Sequence, residues 1–313
     1  MGQTKVKLPT TPQGWAIHLS KIVRLVHDAH GMDRFPIDVA TIARDFSRNV
    51  YPDAPITLVE GQRFSGKFEG ALMPRPDGSG EWGIFYNEAI TSPGRINYTL
   101  AHELGHYLLH RQLSGDPIFC ASRDMWAWDS AYGRMEAEAN EFASFLLMPL
   151  DDFRQQIDGM TKPTVSDFAG LRDRYGVSLT AAILKWLEIT PMRAMIVVSR
   201  DGFIDWSWSS KPLLRSGVFF KPRQQVTELP EGSLARAGQE TAEALAGTTL
   251  PSGVWSSGEE VFESVLFSEY HGMAISLLIY PKHAPRRFSW QAEIDKEPGS
   301  DDVLDRFSGS GAR

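Results

Sequence analysis

The sequence predicts an α+β protein with a helix-rich N-terminal domain and a smaller sheet-rich C-terminal domain. Three observations lead to this fold class. Before about residue 190, apolar residues recur with helical spacing in several segments, with a pair of strands among them. Farther along, residues alternate with period two on both sides of Arg200-Asp201-Gly202 and of Tyr270-His271-Gly272, which is typical of hairpins. A length of 313 residues suits about two domains.

The N-terminal domain is predicted to span residues 15–191. Its first helix, 15–30, should bury one apolar face and should end at Gly31; its apolar residues are Ile17, Leu19, Ile22, Val23, Leu25, Val26 and Ala29. The other predicted elements are a second short helix after Pro36, strands at 64–72 and 82–86, helices at 96–111 and 134–148, and a helix-turn-helix-like segment at 165–187.

The sheet-rich domain is predicted to span residues 192–297, and we expect it to serve sensing or substrate recognition. Gly, Ser and Asp are frequent in residues 298–313, which predicts a disordered tail.

Composition excludes several classes of protein. Lys and Arg total 32 against 39 Asp and Glu, a formal charge of −7, so no basic surface for nucleic acid is expected on average. Cys120 is the only cysteine, which rules out an intramolecular disulfide and a thiolate metal site. Neither a secretory signal nor an apolar stretch of membrane-spanning length is visible, and we expect a cytoplasmic protein without membrane contact. Any metal must therefore be bound by histidines and carboxylates.

The segment His102-Glu103-Leu104-Gly105-His106 lies within a strongly helical stretch. Its two histidines are four residues apart and project from one face, the spacing that two nitrogen ligands of a tetrahedral Zn²⁺ require. Glu103 falls beside such an ion and is suited to accept a proton from activated water and to pass it on to a leaving amine. The same five residues also arise by chance, so the pattern needs a third ligand in support.

The third ligand should come from the next helix. Glu136 follows His106 by 30 residues, and Asn140 lies one helical turn after Glu136, where it can bond an imidazole N–H. Glu138 points to another side of that helix and is the alternative ligand. His110 continues the fourth-residue spacing but cannot easily reach the same ion, so we interpret it as a surface residue or as an outer partner of the site.

Two segments carry a family resemblance. They are Thr99-Leu100-Ala101-His102-Glu103-Leu104-Gly105-His106 and Glu136-x-Glu138-Ala139-Asn140-x-Phe142-Ala143-x-x-Leu146-Leu147-Met148-Pro149. Both resemble the ImmA/IrrE family of metallo-endopeptidases, as do Pro36-Ile37-Asp38-Val39, Phe85-Tyr86-Asn87 and Arg174-Tyr175-Gly176-Val177-Ser178.

The resemblance implies a zincin-like core and one zinc ion per chain, bound by His102, His106 and Glu136, with Glu103 as the base. Mn²⁺ is the alternative ion. It also implies a protein substrate, typically a helix-turn-helix transcriptional repressor that is cleaved in response to DNA damage or another stress. The C-terminal domain departs from the shortest members of the family.

Two further expectations concern binding. Residues 81–87 are predicted to form an edge strand along which an extended substrate pairs, with Trp82 and Phe85 in contact with it. Direct binding of nucleic acid is not expected, because the second helix of the 165–187 segment offers only Lys185 as a positive charge. The alternative function is a non-proteolytic regulator that uses the metal only to hold its fold and acts by binding protein or DNA.

Overall fold

The computed structural model of the chain describes residues 8–64, 68–113, 118–121, 131–220, 226–239, 241–268 and 272–283. These residues form a mixed α+β structure that divides into two compact units. Among the described residues, the first unit contains the chain up to Gln156 together with Arg172–Ser178. The second contains Ile157–Leu171 and the chain from Leu179 onward. The predicted tail at 298–313 lies outside the described residues, and the predicted domain limits stay a prediction.

The helices of the first unit begin and end where local sequence signals place them. They are α1 (Pro12–His30), α2 (Val39–Val50), α3 (Pro93–Leu109), α4 (Ala131–Leu147) and α5 (Leu150–Gln156). Thr11 caps α1 by accepting a hydrogen bond from the Gly14 N–H, and Gly31 ends it in the left-handed region at φ 65°. α4 packs against both α1 and α3, so α3 and α4 lie side by side in the core.

The sheet of the first unit corrects one prediction. Its strands are β1 (Ile56–Gln62), β2 (Phe68–Pro74), β3 (Trp82–Asn87) and β4 (Ile118–Ala121), in the order β1-β3-β2-β4. β3 pairs in parallel with β1 and antiparallel with β2, so the prediction of an edge strand at 81–87 is wrong. Both hydrogen-bonding edges of β3 are occupied, one by β2 and the other by β1. β1 pairs with β3 and not with β2, the strand that follows it in the sequence. Within the described residues, β1 and β4 are at the two ends of the sheet.

The second unit contains an antiparallel five-stranded sheet. Its strands are β5 (Ala194–Arg200), β6 (Phe203–Ser209), β7 (Thr248–Leu250), β8 (Val261–Ser268) and β9 (Met273–Ile279), in the order β6-β5-β9-β8-β7. The predicted hairpin of β5 and β6 and the predicted pairing of β8 with β9 are both present. Short helices α8 (Lys211–Arg215), α9 (Leu234–Ala237) and α10 (Ala242–Ala246) complete it.

The helix-turn-helix-like segment forms the two expected helices, α6 (Asp167–Tyr175) and α7 (Leu179–Ile189). The division between the units falls inside α6. α7 packs on β5 and β6, and its residues from Thr180 to Leu187 are buried. Lys185, the one positive charge noted on this helix, is fully buried and forms an ion pair with Glu188. This burial leaves Lys185 unable to contact a DNA backbone. None of the helices in the described part of the chain has the length and apolar character needed to cross a bilayer.

Candidate metal centre

The α3 helix holds both histidines of the motif on its buried side. Pro93 starts the helix, and every residue from Tyr98 to Leu108 is buried. The side chains of His102 and His106 are 6% and 0% exposed, and their Nε2 atoms lie 3.0 Å apart. Two imidazoles so close and so well buried are oriented toward one point, as two ligands of a single ion require.

Glu136 of α4 completes a triangle of ligand atoms. Its Oε2 lies 3.2 Å from His102 Nε2, and its Oε1 lies 3.2 Å from His106 Nε2. Ligands about 2.0–2.1 Å from one tetrahedral zinc ion would lie about 3.3–3.4 Å from each other. The observed spacing is close to that value, and the donor set of two nitrogens and one carboxylate suits zinc. These three residues can therefore hold a metal ion.

The alternative ligand, Glu138, faces a different partner. Its Oε2 lies 2.9 Å from Nε2 of His110, and its side chain is about half exposed. Of the two carboxylates, the structure thus brings Glu136 to the histidine pair and turns Glu138 outward. His110 is 1% exposed, so its interpretation as a surface residue is wrong, and its Nδ1 lies 3.0 Å from Nδ1 of His106. The fourth-residue spacing of the three histidines was the signal for this contact.

Close packing of the two ligand-bearing helices depends on Gly105. A Cβ on Gly105 would lie 3.0 Å from Cδ1 of Phe142 and 3.1 Å from Cα of Ala139. With contacts that short, a side chain at this position would force its neighbours on α4 to shift by a few tenths of an ångström. Gly105 thereby lets α3 and α4 approach closely enough for Glu136 to reach the imidazoles.

Asn140 lies where the sequence predicts it. Its Oδ1 is 3.0 Å from Nδ1 of His102, while its Nδ2 donates to the Glu136 carbonyl at 2.7 Å. The hydroxyl of Tyr98 donates to the same Oδ1. An oxygen that faces His102 requires the proton on Nδ1 of that ring, which leaves the Nε2 lone pair for a metal.

Glu103 is fully buried and lies against the sheet. A Cβ on Gly70 of β2 would lie 2.7 Å from Oε1 of Glu103 and 2.5 Å from Cγ2 of Thr99. The missing side chain at Gly70 therefore gives the Glu103 carboxylate its place beside the histidine pair. Gly70 could not be identified from its residue type alone, because a glycine in a strand has many explanations.

The charges within the site shift the acidities of its members. Burial lowers the pKa of His106 to about 4, against the opposing effect of the Glu136 carboxylate. Burial also acts to lower the pKa of His102, but its hydrogen bond to Glu136 and the charge of that residue raise it overall. Burial would raise the pKa of Glu136, yet the two imidazoles hold it far below its usual range. The forms that bind metal are an ionised carboxylate and neutral imidazoles.

Trp82 and Phe85, the two predicted substrate contacts, lie on the internal strand β3 and are partly buried. The Trp82 ring packs edge-on against Tyr107, with ring centroids 6.2 Å apart. Since β3 offers no free edge, the reason for assigning both residues to the substrate no longer holds. Their contact with a substrate stays a prediction.

A family of known proteins matches the segment that holds this site. Residues 61–187 match the family model of peptidase family M78, described as an IrrE N-terminal-like domain. A solved structure of a Mycobacterium tuberculosis transcriptional regulator matches with a TM-score of 0.48 and 15% sequence identity, covering 84% of this chain and 76% of that one. No curated protein matches the sequence. The matched residues include all three members of the His102, His106 and Glu136 cluster, so the chain carries a domain of the ImmA/IrrE family.

Proposed function

We propose that the protein is a zinc-dependent endopeptidase with a zincin-like core that cleaves a helix-turn-helix transcriptional repressor during a stress response. The observation that carries the proposal is the triangle formed by Nε2 of His102, Nε2 of His106 and the carboxylate of Glu136, with sides of 3.0–3.2 Å. The match to a peptidase family model over the same residues supports it.

In this proposal His102, His106 and Glu136 hold the ion, and Asn140 fixes the ring of His102 through Nδ1. Zinc in such a site supplies Lewis acidity and brings the pKa of water toward about 7. Glu103, the residue after His102, accepts the proton of the attacking water and later delivers it to the amine of the broken peptide bond. Its burial against Gly70 keeps the carboxylate in one place for both transfers.

The corrected sheet order suggests a different place for an extended substrate. β2 carries Gly70, which contacts Glu103, and β4 pairs with β2 in a register that sets Gly70 opposite Cys120. β4 ends the sheet within the described residues. A peptide that added to β4 would lie one strand away from β2, the strand that holds Glu103 in position, whereas β1 lies at the far end of the same sheet.

The repressor as substrate class rests on the resemblance to the ImmA/IrrE family. We propose limits of 15–191 for the peptidase domain and 192–297 for a sheet-rich domain that recognises the repressor or a signal. The buried Lys185 of α7 argues that the protein itself does not read DNA through this helix.

The test is metal-dependent cleavage. Purified protein, loaded with Zn²⁺ or treated with a chelator, is incubated with the repressors encoded near its own gene, and intact mass spectrometry follows each repressor. We expect cleavage only with zinc. The Glu103→Gln variant should lose turnover by about 10²–10⁴-fold, because it lacks the proton acceptor. It should still bind one equivalent of zinc, because Glu103 is not among the three clustered ligands.

Zinc content and thermal melting of Glu103→Gln serve as controls for its fold. If none of the repressors is cleaved and a strain carrying Glu103→Gln keeps its normal stress response, the peptidase proposal is wrong. A regulator that acts by binding, with a metal that serves the fold alone, would then be the better description.

A further inference from the structure

The two histidines of the cluster have different outer partners. Nδ1 of His102 faces the neutral amide of Asn140 at 3.0 Å. Nδ1 of His106 faces Nδ1 of His110, also at 3.0 Å, and Nε2 of His110 lies 2.9 Å from the Glu138 carboxylate. One imidazole is thus bonded to an amide, whereas the other begins a chain of two imidazoles that ends in a negative charge.

The proton positions along this chain follow from a single condition. If Nε2 of His106 binds metal, its proton must sit on Nδ1, which then donates to Nδ1 of His110. That nitrogen of His110 must be an acceptor, so the proton of His110 sits on Nε2 and points at Oε2 of Glu138. A carboxylate is the partner that best accepts this hydrogen bond. In this one arrangement both nitrogens of His110 have a hydrogen-bond partner, Nδ1 as an acceptor and Nε2 as a donor.

We propose that His110 and Glu138 form a positioning pair that fixes the proton on Nδ1 of His106 and strengthens Nε2 of His106 as a metal ligand. The proposal rests on the metal site of the proposed function. Hydrogen bonds from a ligating histidine to a carboxylate orient the ring and raise its basicity as a ligand. Here the effect is passed through a second imidazole, because Glu138 points away from the ligand triangle and its carboxylate contacts His110.

The different exposures of His110 and Glu138 support this role. His110 is 1% exposed and follows His106 by one helical turn, so its ring has little freedom to rotate away. Glu138 is about half exposed, which keeps its carboxylate partly hydrated at the outer end of this series of hydrogen bonds. The carboxylate of Glu138 thus acts on the Nδ1 side of His106, a buried ligand, while the carboxylate itself stays partly exposed.

The experiment measures the zinc dissociation constant at one fixed pH by competition with a chromogenic chelator. His110→Phe removes the chain, and we expect about 10–100-fold weaker binding. Glu138→Gln keeps the size of a half-exposed side chain and removes its charge, and we expect about 10-fold weaker binding with unchanged melting of the zinc-free protein. In the double variant the Glu138→Gln change should add almost nothing, since its effect passes through His110.

Glu188→Gln is the matched control. Glu188 is also about half exposed, and it forms an ion pair with the fully buried Lys185, which is not part of the metal cluster. It should bind zinc as the wild type does. Wild-type affinity in both His110→Phe and Glu138→Gln would overturn the proposal, as would equal losses in Glu138→Gln and Glu188→Gln or additive losses in the double variant. If the wild-type protein itself bound no zinc, the proposed function would fail along with it.

Discussion

Two buried carboxylates, one in each unit, show how differently the same group can be used. Glu136 is 7% exposed and lies against Nε2 of two imidazoles. Glu263, on β8, is fully buried inside a cage of donors. The backbone N–H of Leu234 and the indole N–H of Trp255 donate to one of its oxygens at 2.8 and 2.9 Å. The N–H of Ala235 and the hydroxyl of Ser276 donate to the other, at 3.3 and 3.1 Å.

The difference lies in what surrounds each carboxylate. Glu263 receives four hydrogen bonds from the protein, and these join α9, β8 and β9 around it. Burial nevertheless raises its pKa, against the effect of those donors. Glu136 lies beside ring nitrogens that can present lone pairs to a cation, and its pKa is lowered by the imidazoles. Burial of an acid therefore does not identify a site; the chemistry of its neighbours does.

The largest effect is expected for Glu136→Gln. The change replaces a charged ligand with a neutral amide of the same size, so we expect the zinc dissociation constant to rise by more than about 100-fold, since outer partners alone are worth 10–100-fold. Competition with a chelator measures it. The matched change Glu263→Gln should leave zinc binding at one ion per chain. Equal zinc affinity in Glu136→Gln and wild type would remove the distinction between the two carboxylates.

Glu263→Gln should instead lower the stability of the fold. An amide has only one oxygen to accept, so its NH₂ group would face two of the four donors, and buried unsatisfied groups cost about 1–3 kcal/mol each. We expect the free energy of unfolding of the zinc-free protein to fall by about 2–3 kcal/mol, measured by denaturant titration. The control is Glu260→Gln, at an exposed position nearby, with a change within about 0.5 kcal/mol. A similar loss in both variants would show that the cage around Glu263 adds no stability.

The helices α1 to α4 could be predicted because their signals are local, whereas the short helix α5 was not predicted. Gly31 marks the end of α1, and the four-residue spacing of His102 and His106 places both side chains on one face only if the segment is a helix. The order of the strands could not be predicted, since β1 precedes β2 but pairs with β3, and such pairing depends on contacts between distant residues. The error about an edge strand at β3 followed directly from that.

The burial of helix faces shows the same limit. Of the apolar residues expected on the buried face of α1, Leu19 and Val23 are buried, whereas Ile22, Leu25 and Val26 are 37%, 67% and 45% exposed. Helical periodicity shows that a face is apolar but does not show what lies against it. The third metal ligand shows the same limit. Sequence spacing left Glu136 and Glu138 as candidates, and the choice depends on which side of α4 faces α3 in the folded protein.

The smallest effect we predict tests how Glu136, unlike Glu263, depends on the approach of two helices. A Cβ at Gly105 would meet Cα and the carbonyl oxygen of Ala139 at 3.1 and 3.2 Å, and backbone atoms cannot rotate away. Gly105→Ala should lower the free energy of unfolding by about 1–2 kcal/mol, because overpacking costs about 1–3 kcal/mol and helix propensity returns up to about 1. It should also weaken zinc binding by moving α4 outward.

The matched helical glycine is Gly170 of α6, where a Cβ would have no atom within 4 Å. Gly170→Ala should raise the free energy of unfolding by up to about 1 kcal/mol and leave the zinc dissociation constant unchanged. Denaturant titration and chelator competition on the two variants measure both quantities. If Gly105→Ala gained stability as Gly170→Ala does and kept wild-type zinc affinity, the ligand triangle would not depend on the close contact of α3 and α4, and Glu136 would reach the histidines by the freedom of its own side chain.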